Sequence, residues 1–89
     1  MVHISFATSI QRHVPCSALT VKGASVHDVL EAVFGQNDRL RGYLLDDQGS
    51  LRKHLAVFVN GQQIADPQTL SDAVPQDATI HVIQALSGG

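Results

Sequence analysis

Apolar and polar residues alternate at the start of the chain, where Val2, Ile4 and Phe6 interleave with His3, Ser5 and Ala7. A period of two gathers one set on a single face, so the pattern predicts a strand with one side buried. The stretch 8–15 is polar and closes on Pro15, after which Leu19 and Val21 alternate with Thr20 and Lys22 until Gly23. A second short strand is predicted there, completing a hairpin. The period then changes. Val26, Val29, Leu30, Val33 and Phe34 recur at spacings of three and four, which places them in one stripe of a helix. Ser25 is the predicted N-cap, its hydroxyl able to accept from a free backbone N–H, with Asp28 three residues on beside the positive helix end. Gly35 is the predicted stop, in a left-handed conformation.

From Gln36 to Lys53 the pattern loosens. It predicts a long loop anchored by Leu40, Tyr43, Leu44 and Leu45, with a turn at Asp46-Asp47-Gln48-Gly49. The segment from His54 to Val59 is apolar and rich in β-branched residues, and runs into Asn60-Gly61. That pair is a strong hairpin signal because both residues tolerate positive φ, so a short strand should return through Ile64. Pro67 opens a turn or single helical loop in which Leu70 and Val74 reach the core, closed by Pro75 and Asp77. Ile80 and Val82 alternate with His81 and Ile83, and the chain ends Gln84-Ala85-Leu86-Ser87-Gly88-Gly89.

This order is too short for a doubly wound sheet. It suits an α+β plan in which one main helix packs across a mixed sheet of four to five strands. The two outer hairpins would be antiparallel and the first and last strands parallel neighbours, which is the β-grasp arrangement. A single domain spanning 1–89 is expected, with 85–89 as an extended tail. At 89 residues with 44% hydrophobic and 16% charged content, the chain can form one modest core and is not of disordered composition.

A net charge of −2 and a pI near 6.1 give no broad attraction to phosphate backbones or anionic lipid, which argues against nucleic-acid and membrane partners. The first residues alternate, unlike the basic start and apolar run of a secretory signal. No segment has the length of a membrane span. Cys16 is the single cysteine and suits a reducing cytoplasm.

With these elements in place, the chain resembles the MoaD/ThiS family of ubiquitin-like sulfur carriers, and in particular its longer members of the CysO type. Val57-Phe58-Val59-Asn60-Gly61 is similar to the family's strand and turn, and Ile80 to Gly89 to its closing strand and diglycine tail. Leu51-Arg52-Lys53-His54 is similar to the approach to that strand in the longer members. Several relatives carry proline just before the tail, where this chain has Gln84-Ala85.

The resemblance implies a carrier that is not itself an enzyme. An adenylating partner would use ATP to activate Gly89, and a sulfur donor would convert the adenylate to a thiocarboxylate. A sulfur-accepting biosynthetic enzyme would then use the sulfur to make cysteine or another small sulfur metabolite or cofactor. Chemistry explains the need for activation. A terminal carboxylate with a pKa of about 3.5 is ionised at neutral pH and a poor electrophile. Gly88, like Gly89, lacks a side chain and reaches unusual dihedrals, so the end of the chain can thread a narrow channel. Ser87 and Gly88 are accordingly the tail expected to be required for activation.

No catalytic set is legible elsewhere. Cys16 would need a base and an orienting group that spacing does not supply. The histidines, His3, His13, His27, His54 and His81, lack a close ligand spacing, so no metal site and no intrinsically bound cofactor are expected. Asp46, Asp47, Asp72 and Asp77 read as turn residues. Phe58, Ile83, His81 and Leu86 form a candidate docking face for the adenylating partner, because apolar residues turned away from a core often mark a partner site. The opposing expectation is that the loop around Tyr43 partly covers this face. Two other functions are open to the same chain: a ubiquitin-like covalent modifier joined through Gly89 to target lysines, and a noncovalent β-grasp interaction module in which the tail is incidental.

Overall fold

The computed structural model describes residues 1–84. Val2, Ile4 and Phe6 are the buried positions of the first strand, β1 (Val2–Phe6), as the alternation requires. After a short helix α1 (Thr8–Gln11) the chain returns as β2 (Leu19–Val21), then crosses as α2 (Val26–Gln36) and α3 (Arg39–Leu44). Strands β3 (Leu55–Val59), β4 (Gln62–Gln63) and β5 (Thr79–Gln84) complete the order.

The sheet runs β2-β1-β5-β3-β4. β1 pairs antiparallel with β2 and parallel with β5, while β3 pairs antiparallel with both β5 and β4. The last strand therefore lies in the middle of the sheet. With a helix packed across a mixed sheet of this order, the fold is the ubiquitin-like β-grasp. The apolar stripe of α2, Val26, Val29, Leu30, Val33 and Phe34, joins Ile4, Phe6, Val57, Ile80 and Val82 in one buried cluster.

Two local devices hold β5 and α2 in place. Asn60 (φ 50) and Gly61 (φ 84) take the left-handed turn between β3 and β4. The Asn60 backbone N–H donates to the Thr79 carbonyl at 2.8 Å, and the Thr79 N–H donates to Asn60 Oδ1 at 2.9 Å. The hairpin tip is thereby fastened to the start of β5.

At the start of α2, Ser25 Oγ accepts from the Asp28 N–H at 3.1 Å. The Val26 and His27 N–H groups donate to the carbonyls of Asp72 and Leu70 at 3.0 and 2.9 Å. The loop 66–77 thus satisfies donors that a helix N-terminus leaves free. Leu70 serves this role at φ 59 with its side chain fully buried.

Asp66 organises the same loop. Its carboxylate accepts from the Thr69 N–H (3.0 Å) and from the hydroxyls of Ser71 and Thr69. These bonds, those of Ser71 first, hold the carboxyl well below the usual carboxylate range. A depressed folded pKa gives stability that is present above the unfolded value of about 4 and is lost as pH falls toward the folded value. Asp66→Asn is therefore expected to lower the urea midpoint at pH 7 and to lose less further stability between pH 5 and pH 3 than the native chain. Parallel pH profiles for the two proteins would contradict this.

Gly23 is needed for space. A Cβ built there would stand 2.7 Å from Val29 Cγ2 and 2.9 Å from the Val29 backbone nitrogen. Gly23→Ala should cost on the order of 1–3 kcal/mol, the range for overpacking, read as a drop in the denaturant midpoint. An unchanged midpoint would mean that the turn into α2 yields freely.

The structure departs from the sequence expectations in three places. The connection after β1 contains α1, a single helical turn that buries Ile10 and carries no side-chain N-cap. The segment 36–53 is not all loop, because Leu40, Tyr43 and Leu44 fall at helical spacing on α3. Arg41 fastens α3 to α2 by two hydrogen bonds to Glu31, at 2.7 and 2.8 Å, and its guanidinium lies 4.8 Å from the Phe34 ring centre. Gly35 is a helical residue within α2, not a left-handed stop. The helix ends one residue later, and the Asn37 N–H closes on the Val33 carbonyl.

Candidate functional site

Alternation on β5 decides what faces outward. Ile80 and Val82 are buried against the helix, so His81 and Ile83 emerge on the opposite face. The β3 register sets Phe58 opposite His81 and Ala56 opposite Ile83. On the other side of β5, Ser5 of β1 stands level with His81, and Ser5 Oγ is hydrogen-bonded to His81 Nδ1 at 2.8 Å. One outward patch therefore holds Ala56, half-buried Phe58 and Ile83, and the Ser5–His81 pair. Of the predicted docking residues, Phe58, His81 and Ile83 come together here. Leu86, Ser87, Gly88 and Gly89 lie outside the described residues.

Tyr43 does not cover this patch. It packs against the core cluster, because α3 carries it on the helical side. Its ring stacks on His13, with centroids 5.4 Å apart at 22°, and meets His54 edge-on at 6.0 Å. Residues 13, 43 and 54 are too far apart in sequence for any spacing to have flagged this cluster. The available signal was positional: His54 immediately precedes Leu55, the first residue of β3, which pairs with Gln84 at the end of β5.

The remaining candidates do not assemble into a catalytic site. Cys16 is partly buried against the core, and burial pushes its thiol up, away from the reactive thiolate. His3 contacts Thr20 Oγ1 at 3.3 Å and lies level with Thr79, two residues along the sheet from His81. Among the described residues no three His, Cys, Asp or Glu side chains converge as metal ligands. No helix among them is long and apolar enough to cross a membrane.

The β-grasp sheet with its central closing strand defines the class as ubiquitin-like. The model of the ThiS family matches residues 12–89, and the chain belongs to that family of ubiquitin-like sulfur carriers. Solved structures agree on the fold. A chain of the Amycolatopsis orientalis BexX/CysO complex superposes with TM-score 0.82 at 22% identity over 100% of both chains. CysO of Mycobacterium tuberculosis gives 0.82 at 17% identity, over 97% of this chain and 100% of that one. SAMP1 of Haloferax volcanii gives 0.77 at 24% identity, over 99% and 98%. No curated protein sequence matches the chain.

Proposed function

We propose that the chain is a sulfur carrier whose Gly89 carboxylate is activated and converted to a thiocarboxylate by partner enzymes. In the first step a carboxylate oxygen of Gly89 attacks the α-phosphorus of ATP, and pyrophosphate leaves. In the second, a sulfur donor delivers sulfur to the acyl carbon, the C–S bond forms, and AMP leaves with the displaced oxygen. An acceptor enzyme then takes the sulfur into cysteine or another small metabolite or cofactor. The chain supplies no catalytic group and binds no cofactor of its own in this scheme; ATP is held by the adenylating partner.

The observation that carries this proposal is the family match, which runs through the closing strand to Gly88-Gly89. The fold adds a physical reason. β5 is clamped between β1 and β3, so the chain beyond Gln84 starts from a rigid base. The patch of Phe58, His81 and Ile83, with Leu86, is the proposed docking face for the partner, and an Amycolatopsis relative of the same fold occurs in a complex with BexX. The cytoplasm, where ATP and reduced sulfur donors are at hand, is the proposed compartment.

An ATP–pyrophosphate exchange assay with a family adenylating enzyme tests the first step. Exchange should require this chain and disappear when residues 88–89 are removed. Chain-independent exchange, or exchange that survives the truncation, would contradict it.

A second reading follows from the likeness to small archaeal modifier proteins. The same adenylate could acylate a target lysine. Recovery of the Gly89 carbonyl on isopeptide bonds in cells would favour the modifier role, and a conjugate search in which the chain remains only at its free mass would exclude it.

A further inference from the structure

We infer that Arg12 and Lys53, carried on segments that His13 and His54 pin to Tyr43, form a cationic collar at the exit of β5 that steers the chain, tail first, onto an acidic surface of the enzyme that activates Gly89. This inference rests on the proposed function and concerns a surface separate from the Phe58–His81–Ile83 patch.

The residues converge from three segments. α1 begins beside β5, because the Ala7 N–H donates to the Val82 carbonyl at 2.9 Å, and Arg12 and His13 follow directly. Lys53 and His54 immediately precede Leu55, the partner of Gln84. Tyr43 joins the two segments: it holds His13 on its face and His54 at its edge, while its own ring packs on the core. The histidines are thereby fixed, and their chain neighbours Arg12 and Lys53 are both exposed. Neither cation forms a salt bridge with a described residue.

The far end of the molecule has more carboxylates than cations, the cations there being the Met1 ammonium, paired with Asp77, and Lys22, which follows Val21 opposite Val2. Asp66, Asp72 and Asp77 lie in or beside the loop that caps the start of α2, where Asp28 also sits. Asp77 is next to the N-terminus of the chain, at the start of β1. A chain of net charge −2 therefore carries two exposed cations, Arg12 and Lys53, where the tail departs and an excess of carboxylates at the other pole, its other exposed cations, Lys22, Arg39 and Arg41, lying away from that exit. Such an asymmetry orients a protein in the field of its partner and raises the rate of productive encounter. It selects an acidic rim around the entrance of the channel, since a basic rim would repel Arg12 and Lys53.

The test compares the native chain with the double variant Arg12→Glu, Lys53→Glu in ATP–pyrophosphate exchange with the adenylating enzyme, at low and high salt. Charge reversal should lower kcat/KM for the chain by about tenfold or more at low salt, the scale of electrostatic steering, with kcat nearly unchanged. The gap should close as salt is raised. Arg12→Lys with Lys53→Arg should behave as the native chain does, which separates charge from side-chain shape. Equal kcat/KM for native and reversed chains, or a loss that salt does not relieve, would overturn the collar alone. Absence of exchange with the native chain would instead overturn the proposed function, and the assignment of the collar's partner with it.

Discussion

Gly89→Trp is expected to reduce loading with sulfur by at least about 100-fold while leaving the thermal midpoint of the protein unchanged. The reacting atom in the proposed scheme is the terminal carbonyl carbon, and it must reach the nucleotide at the end of a narrow approach. An indole at the last residue would hold that carbon off its position, and displacement by about 1 Å is enough to cost on the order of 100-fold in rate. The fold is expected to tolerate the change, since the described core is complete by Val82. Loading by intact mass and unfolding by circular dichroism read the two halves separately. Normal loading of the variant would contradict Gly89 as the acceptor, and a large fall in the thermal midpoint would contradict the independence of tail and core.

The second large effect is on stability. Leu70→Ala should cost about 2–5 kcal/mol, the range for deleting a buried leucine side chain, out of a total that is typically about 5–15 kcal/mol. Leu70 is fully buried, and its carbonyl accepts from the His27 N–H at the start of α2. The left-handed backbone at this position, φ 59, persists only while the leucine is anchored, so loss of the side chain also loosens the cap on α2. Urea unfolding measures the cost, and Leu70→Met, which conserves volume, should lose less than about 1.5 kcal/mol. Below the unfolding range the alanine variant should still be loaded at Gly89, because Leu70 sits at the start of α2, away from the end of β5 where Gln84 pairs with Leu55. A loss under about 1 kcal/mol for Leu70→Ala would mean that the loop contributes little to holding the helix.

The elements that were legible in the sequence are those with a clean period. The alternation of Val2, Ile4 and Phe6 and the stripe from Val26 to Phe34 each state which face is buried, and the structure buries those residues. Asn60-Gly61 announced its turn because the conformation demands residues of that kind. The short helices were less visible. α1 is one turn with a single buried residue, too brief for any periodicity. α3 has the spacing of Leu40, Tyr43 and Leu44 but is interrupted by Gly42, a weak helix former, and is held by the tertiary contacts of Arg41 with Glu31 and Phe34.

The outward patch was half legible. Alternation on the last strand put Ile83 outside, but the pairing of Phe58 with His81 depends on a register set by the turn. The grouping of His13, Tyr43 and His54 arises from three segments brought together only by the folded sheet.

The most direct measurement is the intact mass of the protein after incubation with its adenylating enzyme, ATP and a sulfide source. Exchange of one oxygen for sulfur, localised by fragmentation to the peptide ending in Gly89, is the predicted result. An unchanged mass, with an enzyme that demonstrably adenylates the chain, would contradict the carrier function.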